Sequence, residues 1–196
     1  KKVLILGYGY VASFLKKRVE VEGYEVMTTS RSGQPHILFS LTEPDSWGNL
    51  EKVDFTVWTF PAEPVSFVES FFNEYDSKLG TLVVLGSTSA FNILDEDKLV
   101  NEASPVDDSM TRVSGENYLL KHGAQILHSS GIYGLGRDPL TWVKKSYVGK
   151  SEKLVNMIHV DDLCQFIINA LVYGKSGHRY IASDNNPQRW TDVIER

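Results

Sequence analysis

The chain has 196 residues, 42% of them hydrophobic and 23% charged, enough for one sizeable core and too few for two full domains. Its net charge of −5 supplies no basic patch for a phosphate backbone, so nucleic acid is not an expected partner. Cys164 is the only cysteine, which excludes an internal disulfide. The apolar run at 3–6 is far shorter than a signal peptide or the roughly 20 residues of a membrane span, so the expectation is a cytoplasmic protein without a membrane partner.

Residues 3–6 read Val-Leu-Ile-Leu and end in Gly7, the pattern of a strand buried on both faces. From Val11, apolar residues recur at Phe14, Leu15 and Val19, which predicts a helix stopped by Gly23. Further strands are predicted at 24–29, 37–39 and 55–59, the last stopped by Pro61. Pro64 opens a helix to about residue 74, with Val65, Val68, Phe71 and Phe72 on one face. A strand at 81–85, a helix at 108–121 and a strand at 124–128 follow. A loop with three glycines and Pro139 occupies 131–139. A helix at 163–173 has Asp161 and Asp162 placed to cap its start, and Cys164 reads as a core residue of it. The last strand is predicted at 178–182. Alternating strands and helices point to an α/β fold, a doubly wound parallel sheet in a single domain over 1–196. Any substrate lobe falls in parts of 131–160 and 183–196.

The glycine pattern carries the first functional statement. Gly7-Tyr8-Gly9-Tyr10-Val11-Ala12 is GxGxxA between a predicted strand and a predicted helix. Gly7 suits the tight turn, Gly9 lets a pyrophosphate approach the backbone, and Ala12 keeps helix and strand close. The helix start then offers N–H donors and a partial positive charge to the phosphates. The second strand ends in Thr28-Thr29-Ser30-Arg31-Ser32, with no carboxylate to accept from ribose hydroxyls or to repel a 2′-phosphate. Arg31 can donate a charge-assisted pair of hydrogen bonds to such a phosphate, so NADP is expected in preference to NAD. Cofactor contacts are expected from Gly7, Gly9, Tyr10, Ala12, Ser30, Arg31, Thr59 and Phe60. The histidines show no metal-binding spacing, and no metal is expected.

Four segments together resemble the extended short-chain dehydrogenase/reductase family, the nucleotide-sugar epimerase and dehydratase group. They are Gly7 to Ala12; Leu85-Gly86-Ser87-Thr88-Ser89-Ala90-Phe91; Ser130-Gly131-Ile132-Tyr133-Gly134-Leu135-Gly136-Arg137, similar to the family's GIYGPGR loop; and Ile158-His159-Val160-Asp161-Asp162-Leu163, similar to its IHVDD segment. The resemblance implies that Ser87 or Thr88 polarises a substrate oxygen. It also implies a homodimer through the helices after strands four and five, which here carry Phe71, Phe72, Tyr118 and Leu119.

The departures matter as much. The family's Tyr-x-x-x-Lys pair is absent. Glu116 fits the glutamate that follows the family's Lys by four positions, and in that register Arg112 replaces Lys and Asp108 replaces Tyr. The family's acidic residue after the third strand is Ser40. Arg112 can still hold the nicotinamide ribose, whereas Asp108, with an ordinary pKa near 3.9 against about 10 for Tyr, cannot do the tyrosine's work by default. This resembles an atypical branch. Ser87, as oxyanion stabiliser, and Tyr133, as proton donor, head the candidates, with Thr88 and Arg112 beside them. For Ser87 the alternative is a hydroxyl satisfying the strand end; for Tyr133, a packed loop aromatic. Two functions follow: an NADP-dependent oxidoreductase or epimerase-like enzyme acting on a small carbonyl or sugar-nucleotide substrate, or a non-catalytic NADP-binding sensor or scaffold.

Overall fold

The structure, a computed structural model, describes residues 1–92, 99–145, 151 and 154–194. Part of the stretch expected to form a substrate lobe, 146–150, 152–153 and 195–196, lies outside the described residues.

In chain order the elements are β1 (Lys2–Leu6), α1 (Tyr10–Val21), β2 (Glu25–Ser30), β3 (Ile37–Leu38), β4 (Phe55–Trp58), α2 (Val65–Leu79), β5 (Thr81–Ser87), α3 (Thr111–Lys121), β6 (Gln125–Ser129), β7 (Gly131–Tyr133), α4 (Pro139–Lys144), β8 (Leu154–Val155), β9 (Met157–His159), α5 (Val160–Tyr173), β10 (Arg179–Ala182), β11 (Gln188–Arg189) and α6 (Trp190–Ile194). Short 3-10 turns at Pro44–Asn49 and Thr88–Ala90 interrupt the loops.

Seven strands form one parallel sheet in the order β10-β6-β5-β4-β1-β2-β3. The order reverses between β1 and β4, so the crevice outside the carboxyl ends of these two strands is the topological switch point, where open α/β sheets bind ligands. The chain therefore has the doubly wound, Rossmann-type sheet expected from its alternating pattern. Residues 55–58, Phe-Thr-Val-Trp, are buried without exception, as a central strand covered on both faces requires. One apolar layer packs α1 and α5 on the sheet through Leu15, Val19, Leu163 and Ile167. The other packs α2 and α3 through Val68, Phe71, Leu79 and Leu119. Full burial of side chains this size stabilises by about 1.5–3 kcal/mol each.

Several expectations shift. α3 begins at Thr111 rather than 108, which leaves Asp108 in the preceding loop. α5 begins at Val160, and its cap is His159, whose Nδ1 accepts from the Asp161 N–H at 3.3 Å; Asp161 and Asp162 lie inside the first turn. The 131–139 loop contains β7, which pairs in parallel with β9 as a separate two-stranded ribbon. Phe71, Phe72 and Leu119 are buried within this chain, and the Tyr118 hydroxyl donates to Asn73 at 2.7 Å. The apolar side chains expected to carry a dimer contact thus join α2 to α3 of one chain. Cys164 is fully buried, and burial pushes its thiol up to about 12.

Candidate functional site

β1 delivers Gly7 to the switch point with φ +89°, a conformation that favours glycine, and a Cβ there would lie 2.7 Å from Phe60 Cδ1. The turn is pinned from both sides. Its N–H donates to Thr29 Oγ1 at 2.9 Å, and the Thr59 hydroxyl donates to the Leu6 and Gly7 carbonyls at 2.9 and 2.7 Å. Thr59 therefore holds the turn rather than offering its proton to a ligand.

Gly9 is the cap residue of α1. No side chain caps this helix, and its first turn holds no acid. The first N–H groups of an α-helix lack partners within the helix, so these donors face the crevice. A Cβ on Gly9 would meet nothing within 4 Å. Its φ of −106° is open to any residue, so the position demands space rather than special backbone freedom. Ala12 is fully buried behind the turn.

Two cavities meet at this point. One, about 570 Å³, lies toward β5 and β6 and is lined by Tyr10, Ser87, Arg112, Glu116, Ser130 and Arg137 among others. The other, about 630 Å³, lies toward β2 and β3 and is lined by Ser30, Arg31, Ser32, Ser40 and Thr42 among others. Gly9, Thr59, Phe60 and Pro61 line both.

Among the described residues, the β2-side cavity carries one cation at its rim, the exposed Arg31. Ser30 and Ser32 hydroxyls share a hydrogen bond at 2.8 Å. The carboxylate that lines this cavity, Glu63, accepts from Thr111 on the far, Pro61 side. Tyr8 stacks on His36 with ring centres 4.1 Å apart. Ser40 is buried, with its carbonyl accepting from Trp47 Nε1 at 2.9 Å.

The β5-side cavity has a denser polar wall. Arg112 donates through Nη2 to Ser89 Oγ at 2.8 Å, and Ser89 Oγ lies 3.1 Å from Ser87 Oγ. Ser87 Oγ also accepts from the Ser89 N–H at 3.3 Å. Either hydroxyl can donate in the Ser87–Ser89 pair; when Ser89 is the donor, the Ser87 hydroxyl hydrogen is left to point into the cavity. Thr88 and Tyr133 line neither cavity; Tyr133 packs edge-on against His159. Asp108 also lines neither and accepts from Asn117.

Three further residues stand in this wall. Arg137 places its guanidinium 4.9 Å from the Tyr10 ring centre, and the Tyr10 hydroxyl donates to the Leu135 carbonyl at 3.1 Å, so the 134–137 loop clasps the start of α1. Ser130 is buried, and its hydroxyl has no hydrogen-bond partner among the described residues. Glu116 is buried beside His128. Gly115, against which a Cβ would overlap the Ala62 carbonyl, lets α3 approach the 61–63 loop closely and fixes how deep Arg112 and Glu116 sit. Sequence reasoning used Glu116 only to set a register and gave Ser89, Ser130 and Arg137 no role; the two-residue spacing of Ser87 and Ser89 was the one available signal.

No protein-family model and no curated protein matches the chain. Solved structures do. A Methylobacillus flagellatus protein designated an NAD-dependent epimerase/dehydratase superposes with a TM-score of 0.80 at 24% identity, over 98% of this chain and 79% of that one. The dTDP-glucose 4,6-dehydratase of Bacillus anthracis, in complex with NAD, gives 0.76 at 19% identity over 99% and 79%. The UDP-N-acetylglucosamine 4-epimerase of Bacillus cereus gives 0.78 at 14% identity over 98% and 79%. Similarity at this level of identity shows a shared fold.

Proposed function

We propose that this chain is an NADP-dependent oxidoreductase of the short-chain dehydrogenase/reductase type, in an atypical branch without the Tyr-x-x-x-Lys pair, acting on a small carbonyl or sugar-nucleotide substrate. The observation that carries the reading is the pair of cavities joined at Gly9. Each has room for a nucleoside, and their junction is an uncapped helix start with open space over the glycine. That shape and donor set fit a dinucleotide whose pyrophosphate lies on the α1 N-terminus.

When bound, a nicotinamide ring supplies a hydride donor or acceptor. The protein's own groups do the rest. Gly7 and Gly9 shape the cradle, and Ala12 sets the helix behind it. Ser30 and Arg31 face the adenosine ribose, and Arg31 selects the 2′-phosphate by charge. Tyr10 and Phe60 flank the passage between the cavities. Arg112 holds the ribose on the nicotinamide side and keeps Ser89, and through it Ser87, oriented. Ser87 donates a hydrogen bond to the substrate oxygen as negative charge develops there.

A second reading, NADP held without turnover in a sensor or scaffold, is favoured by Tyr133, Thr88 and Asp108 lining neither cavity. Calorimetric titration separates binding from none: one NADPH per chain is expected. Oxidation of that bound NADPH by a panel of small aldehydes, ketones and 4-keto sugar nucleotides then separates the two readings. No saturable NADPH binding would refute both.

A further inference from the structure

Glu116 has no part in the cofactor reading. It sits on the second turn of α3, is 1% exposed, and lines the β5-side cavity. Its Oε2 has no hydrogen-bond partner among the described residues, in a protein interior where such atoms are almost always paired. The neighbours that face it make no hydrogen bond to that atom, and among the described residues the buried Arg112 Nε is likewise without a partner. Arg112, one turn earlier, donates through Nη2 to Ser89. From β6, His128 Nδ1 stands 4.0 Å from Glu116 Oε2 but lies 3.2 Å from the Ser87 carbonyl, to which it must be the donor. His128 Nε2 then accepts from Arg179 Nη1 at 2.9 Å, and from β10 Arg179 spends its other terminal nitrogen on Asn117. These bonds fix His128 as the neutral Nδ1–H tautomer, and burial together with Arg179 holds it down to about 4. It is no counter-charge for Glu116. From β5, Gly86 presents no side chain, and a Cβ there would lie 3.0 Å from Glu116 Oε1. Burial pushes the Glu116 carboxyl up to about 7, against the pull of Arg112 and Arg179.

We propose that Glu116 is the proton-transfer residue of this site, replacing the tyrosine that the chain lacks. The proposal rests on the dinucleotide reading above. In the reducing direction, the carbonyl carbon takes the hydride given up by the reduced nicotinamide and the C=O π bond breaks. Its electron pair takes the carboxyl proton of Glu116 to form the O–H bond, with Ser87 hydrogen-bonding the same oxygen. The alcohol and a Glu116 carboxylate result, and the carboxylate regains its proton from water in the cavity. In the oxidising direction the carboxylate accepts the proton. Tyr10, which also lines this cavity, is raised above its ordinary value by burial, away from neutral pH.

Proton counting tests this without a substrate. NADP⁺ and NADPH are titrated into the protein calorimetrically, across pH 5 to 9, in buffers of different ionisation enthalpy. The oxidised ring is cationic and favours the carboxylate, so near pH 7 NADP⁺ releases more protons than NADPH, by up to about half a proton. The 2′-phosphate is common to both ligands and cancels. The difference fades toward pH 5 and pH 9 and vanishes in Glu116→Gln, which still binds both nucleotides. Equal proton release by the two nucleotides across the range overturns the proposal while leaving the dinucleotide reading intact. So does a difference that survives in Glu116→Gln. Should that variant fail to fold, the pH profile of the wild-type difference decides alone. Absence of binding by either nucleotide overturns the underlying reading.

Discussion

The two cavities on either side of Gly9 are built on opposite principles. Among the described residues, the β2-side cavity is walled by the glycine turn, the hydroxyls of Ser30, Ser32, Ser40 and Thr42, the apolar Phe39 and Leu41, the β4 loop with Glu63, and one rim cation, Arg31. The β5-side cavity draws its wall from α1, β5, α3, β6 and the 131–139 loop, and it buries Glu116 against His128. Local hydroxyls and backbone recognise shape and a phosphate at little cost to stability. A buried carboxyl and a buried neutral imidazole cost stability as pH changes, and such costs concentrate where chemistry is done. Under the proposed function, the contrast puts recognition on one side and reaction on the other.

The largest expected effect removes the junction itself. Gly9→Val fills the space over the helix start without backbone strain, since φ there is −106°. NADPH binding should weaken at least hundredfold, roughly 3 kcal/mol, with the thermal unfolding midpoint nearly unchanged. Calorimetry and circular dichroism check both halves; tight binding by the folded variant would separate the cavities.

Stability against pH comes next and probes only the β5 side. His128 is held down to about 4, so it contributes stability present above its unfolded value of 6.5 and lost as pH falls toward 4, about 3 kcal/mol. Glu116 is held up to about 7, so it favours the folded state at low pH and costs stability as pH rises from 4.5 to 7, of similar size. The two slopes oppose each other between pH 4.5 and 6.5. Denaturant unfolding should show a nearly flat wild type in that window. Glu116→Gln should rise with pH there, and His128→Gln should fall. Parallel curves for all three proteins would show that neither group is perturbed.

Arg31→Ala should act only on the β2 side. It should cost about tenfold in NADPH affinity, about 1.4 kcal/mol, and leave NADH unchanged. Equal losses for both nucleotides would remove the 2′-phosphate assignment.

The same division governs what the sequence made legible. The glycine turn and the buried strands read directly, because each is a contiguous pattern whose period or turn chemistry is local. α3 was placed three residues early because Asp108 continues the polar run before it. The cap at His159 was missed because two aspartates follow it, and the β7–β9 ribbon because three-residue strands carry no period. Glu116, His128 and Arg179 sit on α3, β6 and β10, and only the sheet order brings them together. Tyr133 looked eligible by residue type, but its side chain packs on His159.

The central claim is that one dinucleotide spans both cavities, and amide shift mapping on isotopically labelled protein tests it most directly. The account predicts that 2′-AMP shifts the amides of Ser30, Arg31 and Ser32 but not those of Arg112 and Glu116, whereas NADPH shifts both groups together with Gly9 at one equivalent per chain. NADPH shifts confined to one side of Gly9 would contradict it.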